Sequence, residues 1–103
     1  MSKNRDVVAF AENFGKGIGN NTRFKMLAML ARGPRTVGEL AEHLEISQST
    51  ASQHLLVLKN GQLVHKEKRG QFVYYALDVD YMIAGLKGIT EILESTTKKR
   101  SNK

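Results

Sequence analysis

A run of short hydrogen-bonding side chains at residues 47–54 carries the clearest chemistry in this sequence. At roughly 100° per residue in an α-helix, Gln48, Ser49, Ser52 and Gln53 fall on one continuous face. Solvated helix faces normally carry lysine and glutamate, and this face carries neither. Base edges in the DNA major groove offer both donors and acceptors, which amide and hydroxyl groups can match. The run therefore predicts a helix that contacts DNA bases.

The side chains of this helix are predicted to divide between bases and phosphates. Gln48 and Gln53 are the candidates for base reading, because a glutamine can pair with N6 and N7 of adenine. The serines between them suit a base edge or a phosphate, whereas Thr50 and His54 flank the face and are expected on the backbone. The DNA-contacting residues predicted on this helix are Ser47, Gln48, Ser49, Thr50, Ser52, Gln53 and His54.

A basic segment follows, between two strand-like stretches at residues 63–68 and 72–77. Arg69-Gly70-Gln71 joins them, and Gly70 permits the positive φ of a tight hairpin. Such a wing would straddle a phosphate backbone or place Arg69 in the minor groove. Lysines also protect an edge strand from aggregation, and both roles can hold together. The predicted DNA contacts of the wing are Lys66, Lys68, Arg69 and Gln71.

The elements that position these residues can be predicted from caps and periodicity. Residues 5–16 carry an amphipathic stripe, which the glycines at 15, 17 and 19 break, and residues 21–31 form a second helix. Thr36 and Glu39 are spaced as a capping box, so a third helix begins there. The reading helix is the fourth, and its buried side is expected to hold Ala51, Leu55 and Leu58.

A last helix is predicted after the hairpin, capped by Asp78 or Asp80. The order is α-α-α-α-β-β-α, a mainly α chain (α+β) in which three helices and a hairpin form a winged helix-turn-helix. Inward-facing side chains of the second strand are expected to be Val73, Tyr75 and Leu77.

The first and last helices each keep an apolar stripe with no partner in this arrangement, which predicts a dimer interface. Gly85 and Gly88 in the last helix suggest close approach of a neighbouring helix across the dimer, room for a small apolar ligand, or a helix stable enough to tolerate glycine. The predicted interface residues are Val7, Phe10, Phe14, Met82, Leu86, Ile89 and Leu93.

Composition narrows the classes of function. The 103 residues suit one domain with flexible ends at about 1–4 and 97–103, and the formal charge of +6 favours a polyanionic partner. The absence of cysteine excludes disulfides and thiolate metal sites. No stretch has membrane-spanning length and no signal peptide is evident, so a cytoplasmic protein is expected. No catalytic set has a plausible pocket in so small a chain, so no enzyme is expected.

The three histidines are expected to hold no metal. His43, His54 and His65 lie on three different predicted elements, and zinc requires three or four convergent ligands. Protonation of His54 near phosphate would add a positive charge, so DNA binding could strengthen at mildly acidic pH.

Residues 18–77 resemble the ArsR/SmtB family of bacterial and archaeal winged-helix repressors. The most specific match is the run Ser-Gln-Ser-Thr-Ala-Ser-Gln-His-Leu at residues 47–55, and further matches lie at 19–25, 36–41 and 70–77. The resemblance implies a homodimer built on the first and last helices. Its reading helices would enter successive major grooves of a near-palindrome, with half-sites about 34–36 Å apart.

The positions that sense inducers in this family differ here. Where thiolate-sensing members have cysteines, this chain has Thr36, Gly38 and Ala41. The ligands that bind zinc or cobalt on the last helix align with Val79, Tyr81, Ile92 and Ser95. The resemblance therefore implies a member without a familiar inducer site, and no metal, cofactor or effector is predicted.

The sequence thus predicts a homodimeric, sequence-specific regulator of transcription that binds double-stranded DNA, most simply a repressor at a near-palindromic operator. Two alternatives remain open at this point. One is an architectural, nucleoid-type DNA-binding protein with little sequence preference, and the other is a winged-helix module for protein interaction.

Overall fold

The computed structural model describes residues 3–101 of the chain, and the side chains of residues 6–97. Its order of elements is the predicted α-α-α-α-β-β-α. They are α1 (Lys3–Ile18), α2 (Asn21–Leu30), α3 (Val37–Leu44), α4 (Gln48–Asn60), β1 (Val64–Arg69), β2 (Phe72–Leu77) and α5 (Val79–Ser101). Within residues 3–101, no helix combines the length and the apolar character needed to cross a lipid bilayer.

Side-chain caps fix where the helices of the central motif begin. The Thr36 hydroxyl accepts from Glu39 N at 3.1 Å, and the Glu39 carboxylate accepts from Thr36 N at 2.9 Å, so the predicted capping box is confirmed. Ser47 caps α4 by accepting from Thr50 N at 3.0 Å. Of the two aspartates proposed for α5, Asp78 is the cap, since its carboxylate accepts from Tyr81 N at 3.0 Å.

The turn between α3 and α4 is short and strongly bent. Glu45 ends α3 with a left-handed backbone at φ 57°. Its amide donates to Glu42 O, and the amide of half-buried Ile46 donates to Ala41 O at 3.0 Å. Because these bonds satisfy the last carbonyl groups of α3, the chain can reverse within three residues and begin α4 at a fixed angle.

The hairpin is one residue tighter than predicted. β1 begins at Val64, which pairs with Leu77, and Arg69 is the last strand residue, paired with Phe72. Gly70 has φ 62° in the two-residue turn, where a side chain would be strained. Arg35 extends the pairing, because its backbone exchanges hydrogen bonds with Tyr75 at 3.0 and 2.7 Å.

A single apolar core joins the helices to the base of the hairpin. On α4, Ala51, Leu55 and Leu58 are buried as predicted. The other buried hydrophobic members of the core are Phe10, Met26, Leu27, Leu30, Leu40, Ala41, Leu63 and Val64. Val73 was expected to face this core, but it is 42% exposed because it pairs with Lys68 near the tip of the hairpin, before β2 reaches the core.

The glycines near the end of α1 do not stop that helix, contrary to the sequence prediction. α1 continues through Gly15 and Gly17 to Ile18. Gly17 is buried, and a Cβ there would lie 2.8 Å from Leu63 Cδ1. A side chain here would press on the buried Leu63 side chain, so packing against the core favours glycine at this position despite its low helix propensity.

The glycines of α5 contact the same subunit's α1, and not a helix across a dimer as one prediction had it. A Cβ on Gly85 would lie 2.2 Å from the Phe10 ring, and one on Gly88 would lie 2.5 Å from Val7 Cγ2. Phe10 is 1% exposed, which leaves it no surface for the predicted dimer interface. It stacks on Phe14 and meets Tyr81 edge-on, with ring centroids 5.4 and 5.3 Å apart.

The described parts of the chain ends are helical. Residues 3 and 4 belong to α1 and residues 97–101 to α5, and the flexibility expected of the ends stays a prediction. Residues 1, 2, 102 and 103 lie outside the described part of the chain.

Candidate nucleic-acid interface

The polar face of α4 is turned to solvent. Gln48, Ser49, Ser52 and Gln53 are all exposed, while the opposite side of the helix is buried in the core. Within the described residues, none of these four side chains forms a hydrogen bond. A helix held rigidly on one side, with unused donors and acceptors on the other, is suited to reading base edges.

The first turn of α4 is ordered by its own side chains. Ser47 Oγ donates to Thr50 Oγ1 at 2.9 Å in addition to its capping bond, and both residues remain exposed. A Cβ on Gly38 would lie 3.5 Å from Gln48 Nε2, which places Gln48 beside the start of α3. Ser47 and Thr50 are thus exposed at the N-terminus of α4, where the helix dipole favours a phosphate.

His54 is held by a residue to which sequence analysis assigned no role. Arg23 Nη1 lies 3.3 Å from His54 Nδ1, and Arg23 Nε donates to Lys16 O at 3.0 Å. Since a guanidinium only donates, Nδ1 must accept and the imidazole proton lies on Nε2. Arg23 thus links the end of α1 to the reading helix.

Glu67 organises the wing, and it was also missed by the sequence analysis. Its carboxylate lies 2.9 Å from His65 Nε2 and accepts from Arg69 Nη2 at 2.8 Å. The hydrogen bond with His65, and then that with Arg69, hold the pKa of the Glu67 carboxyl below its usual value of 4.5. The alternation of a β-strand was the available signal, because it places residues 65, 67 and 69 on one face.

The predicted wing contacts therefore divide between two faces of the hairpin. Arg69 lies on the Glu67 face, with its guanidinium 5.4 Å from the centre of the Tyr74 ring. Lys66 and Lys68 lie on the other face, and Lys66 Nζ is 5.9 Å from the centre of the Tyr75 ring. All three cations and Gln71 at the turn are exposed. Both faces can thus present positive charge to a polyanion.

The structure keeps the wing and the reading face as separate clusters. α4 leads into β1 through residues 61–63, and the two elements are in contact. Among residues 6–97, however, no recorded hydrogen bond or ion pair joins a wing side chain to the exposed face of α4.

The histidines lie apart, on α3, α4 and β1. Across the described part of the chain, no group of three or more histidine, cysteine, aspartate or glutamate side chains could hold a metal ion. His54 contacts Arg23 and His65 contacts Glu67, so two of the three rings already have protein partners.

Comparisons with known proteins point to one family. Residues 20–66 match the model of the bacterial regulatory protein, arsR family. The chain is 41% identical to the transcriptional repressor SdpR of Bacillus subtilis over 66 residues, which cover 64% of this chain and 73% of SdpR. It is 44% identical to the transcriptional activator HlyU of Vibrio cholerae over 62 residues, covering 60% of this chain and 57% of HlyU.

A solved structure supports the same assignment. The homodimeric winged helix-turn-helix DNA-binding domain Mb0332 of Mycobacterium bovis, a possible ArsR-family regulator, aligns with a TM-score of 0.68 at 26% identity. The alignment covers 97% of this chain and 92% of that domain. Sequence and fold therefore agree, and the chain belongs to the ArsR family of bacterial regulatory proteins, as a winged helix-turn-helix regulator of transcription.

Proposed function

We propose that this protein binds a near-palindromic operator as a homodimer and represses transcription by occluding the promoter. The observation that carries the proposal is the exposed face of α4, whose Gln48, Ser49, Ser52 and Gln53 side chains have no partner within the described residues. In this account, Gln48 and Gln53 read bases. The serines and Ser47, Thr50 and His54 contact bases or the adjacent phosphates.

The wing supplies affinity that does not depend on sequence. Lys66, Lys68 and Arg69 are exposed cations, and Gln71 at the turn adds a neutral donor. Contacts of such cations with phosphates release counterions, so they strengthen binding to any duplex. The aromatic rings under Lys66 and Arg69 limit how far these side chains move, which favours a defined position on the backbone.

The homodimer is supported by an apolar stripe on the outer side of α5. Val79, Ile83, Leu86 and Leu93 are between 44% and 61% exposed, at the spacing of a coiled-coil seam. Leu86 and Leu93 were predicted for the interface, whereas Val79 and Ile83 were not. Met82, Ile89 and Phe14 pack partly against the subunit's own core, and Val7 fits against Gly88. The homodimeric Mycobacterium bovis domain supports the same assembly.

Repression is favoured because SdpR is named a transcriptional repressor, and the match with this chain covers 73% of the length of SdpR. HlyU is named an activator, so the sign of regulation is a separate question from DNA binding. We further propose that the protein acts in the cytoplasm, where the operator is, and that it has no catalytic activity.

Selection from a random duplex library, followed by footprinting, tests this function. We expect an enriched sequence with two-fold symmetry and half-sites roughly one helical turn apart. Competition with unselected duplex provides the control for specificity. An architectural protein would enrich no sequence, and an interaction module would bind no duplex even at low salt. Either result would refute the proposal.

A further inference from the structure

A groove between α2 and α3 lies outside the DNA-reading face and the apolar stripe of α5. Its cavity has a volume of about 370 Å³, and three apolar side chains line it, namely Ala28, Met29 and Leu44. Met29 and Leu44 are half-buried and pack against the core, while Ala28 is exposed. The volume is within the range of small-molecule sites, and the apolar lining suits a hydrocarbon group.

The same groove is strongly basic. Lys25, Arg32, Arg35 and His43 also line it, and no acidic side chain does. Among the side chains that the structure describes, none of these four forms an ion pair. The three cations Lys25, Arg32 and Arg35 around an apolar cavity leave an uncompensated positive field, which favours an anion at this position.

Arg35 is held in place for such a role. Its Nη1 donates to Gly33 O at 3.2 Å and to Pro34 O at 2.9 Å, and the side chain is half-buried. No hydrogen bond within the described residues uses its Nε or Nη2. A guanidinium that is anchored on one side, with donors remaining on the other, loses little freedom when it binds a carboxylate.

We propose that the α2–α3 groove binds a small amphipathic carboxylate, with its apolar chain on Met29 and Leu44 and its carboxylate held by Lys25, Arg32 and Arg35. A DNA phosphate would satisfy the cations but has no apolar group to cover the lining. A free inorganic anion has the same deficiency. The combination of charge and apolar surface therefore favours an organic acid over either.

The site is joined by covalent and hydrogen bonds to the DNA-binding elements. The backbone of Arg35 pairs with Tyr75 in β2, and the next residue, Thr36, caps α3. A ligand on Arg35 thus contacts the junction between the wing and the first helix of the helix-turn-helix. We expect a bound ligand to change the affinity for DNA, and this expectation rests on the proposed function. The binding of the ligand itself does not rest on the proposed function.

The test uses the full chain, labelled with ¹⁵N, in the absence of DNA. Octanoate is titrated while amide shifts are followed, with acetate, octanol and octylamine as controls for the apolar chain and the charge. We expect octanoate alone to give saturable shifts, centred on residues 25–35 and 43–44. The double variant Lys25→Gln/Arg32→Gln should weaken binding roughly tenfold or more, as expected when charge-assisted contacts are lost.

Lys87→Gln is the matched control, because Lys87 lies on α5 beside an apolar surface formed by Ile83 and Leu86. We expect it to leave octanoate affinity unchanged. Equal binding of octanol, shifts confined to α5, or loss of binding only in Lys87→Gln would overturn the proposal. The proposal would also be overturned if octanoate caused no shifts and Lys25→Gln/Arg32→Gln reduced the salt dependence of DNA binding. In that case the cations of the groove would contact DNA phosphates.

Discussion

Replacement of Gly85 by alanine tests how α1 and α5 pack within one subunit. The Cβ of an alanine there would lie 2.2, 2.3 and 2.4 Å from three carbons of the Phe10 ring. That ring is 1% exposed and lies between Phe14 and Tyr81, so it cannot move aside freely. Gly85→Ala must therefore separate the two helices or displace a packed aromatic cluster.

The expected magnitude follows from two opposing effects. Alanine gains about 1 kcal/mol of helix propensity over glycine. Overpacking a rigid core costs about 1–3 kcal/mol, and a clash with three ring carbons falls toward the upper end of that range. We expect Gly85→Ala to lower the free energy of unfolding by about 1–2 kcal/mol, or the melting temperature by about 4–16 °C in a domain of this size.

Gly15→Ala is the matched control. Gly15 is also inside a helix, but nothing lies within 4 Å of its Cβ position. This variant should therefore gain about 0.5–1 kcal/mol of stability. Far-UV circular dichroism during thermal and urea unfolding measures both, at several protein concentrations because dimer formation contributes to stability. If both glycines respond to alanine with the same sign, the described packing of α5 on α1 is wrong.

Four further predictions concern the DNA interface. Gln53→Ala should cost about 1–3 kcal/mol per half-site on the selected operator and almost nothing on random duplex, measured by fluorescence anisotropy. Arg69→Ala should weaken binding to both duplexes and reduce the salt dependence by about one ion per subunit; equal behaviour of the two variants would refute this division of roles. Glu67→Gln should strengthen binding to both duplexes, because Arg69 and His65 would no longer have to leave the Glu67 carboxylate in order to contact a phosphate. Unchanged or weaker binding contradicts this. Hydrogen bonds lower the pKa of Glu67, so its contacts with His65 and Arg69 should persist above pH 4.5 and be lost as the pH falls through the lowered pKa. A ¹³C titration of the Glu67 carboxyl measures this pKa, and Arg69→Ala should raise it.

The helix-turn-helix itself could be predicted because local rules determine it. The capping box at Thr36 and Glu39 and the cap at Ser47 depend on residues three apart in sequence. The buried side of α4 follows from helical periodicity. Where local chemistry and the fold agree, a single sequence is sufficient to place an element.

The parts that could not be predicted depend on contacts between distant residues. Arg23 and His54 are 31 positions apart, and no local pattern indicates that their side chains meet. Gly85 contacts Phe10 through the packing of α1 on α5, so sequence could not show which helix makes the close approach. Leu86 and Leu93 belong both to the predicted set and to the outward stripe of α5. Val79 and Ile83 complete the stripe but were not predicted, whereas the predicted Met82 and Ile89 pack against the subunit's own core.

The exposed face of α4 is proposed to read base edges, and this claim can be tested in the complex with DNA. The most direct measurement is NMR of the side-chain amide groups of Gln48 and Gln53 in the full chain, bound to the selected operator and to a random duplex. We expect both amides to shift and to exchange slowly with water only in the operator complex. Amides that stay unchanged in both complexes, with shifts confined to the wing, would contradict the claim.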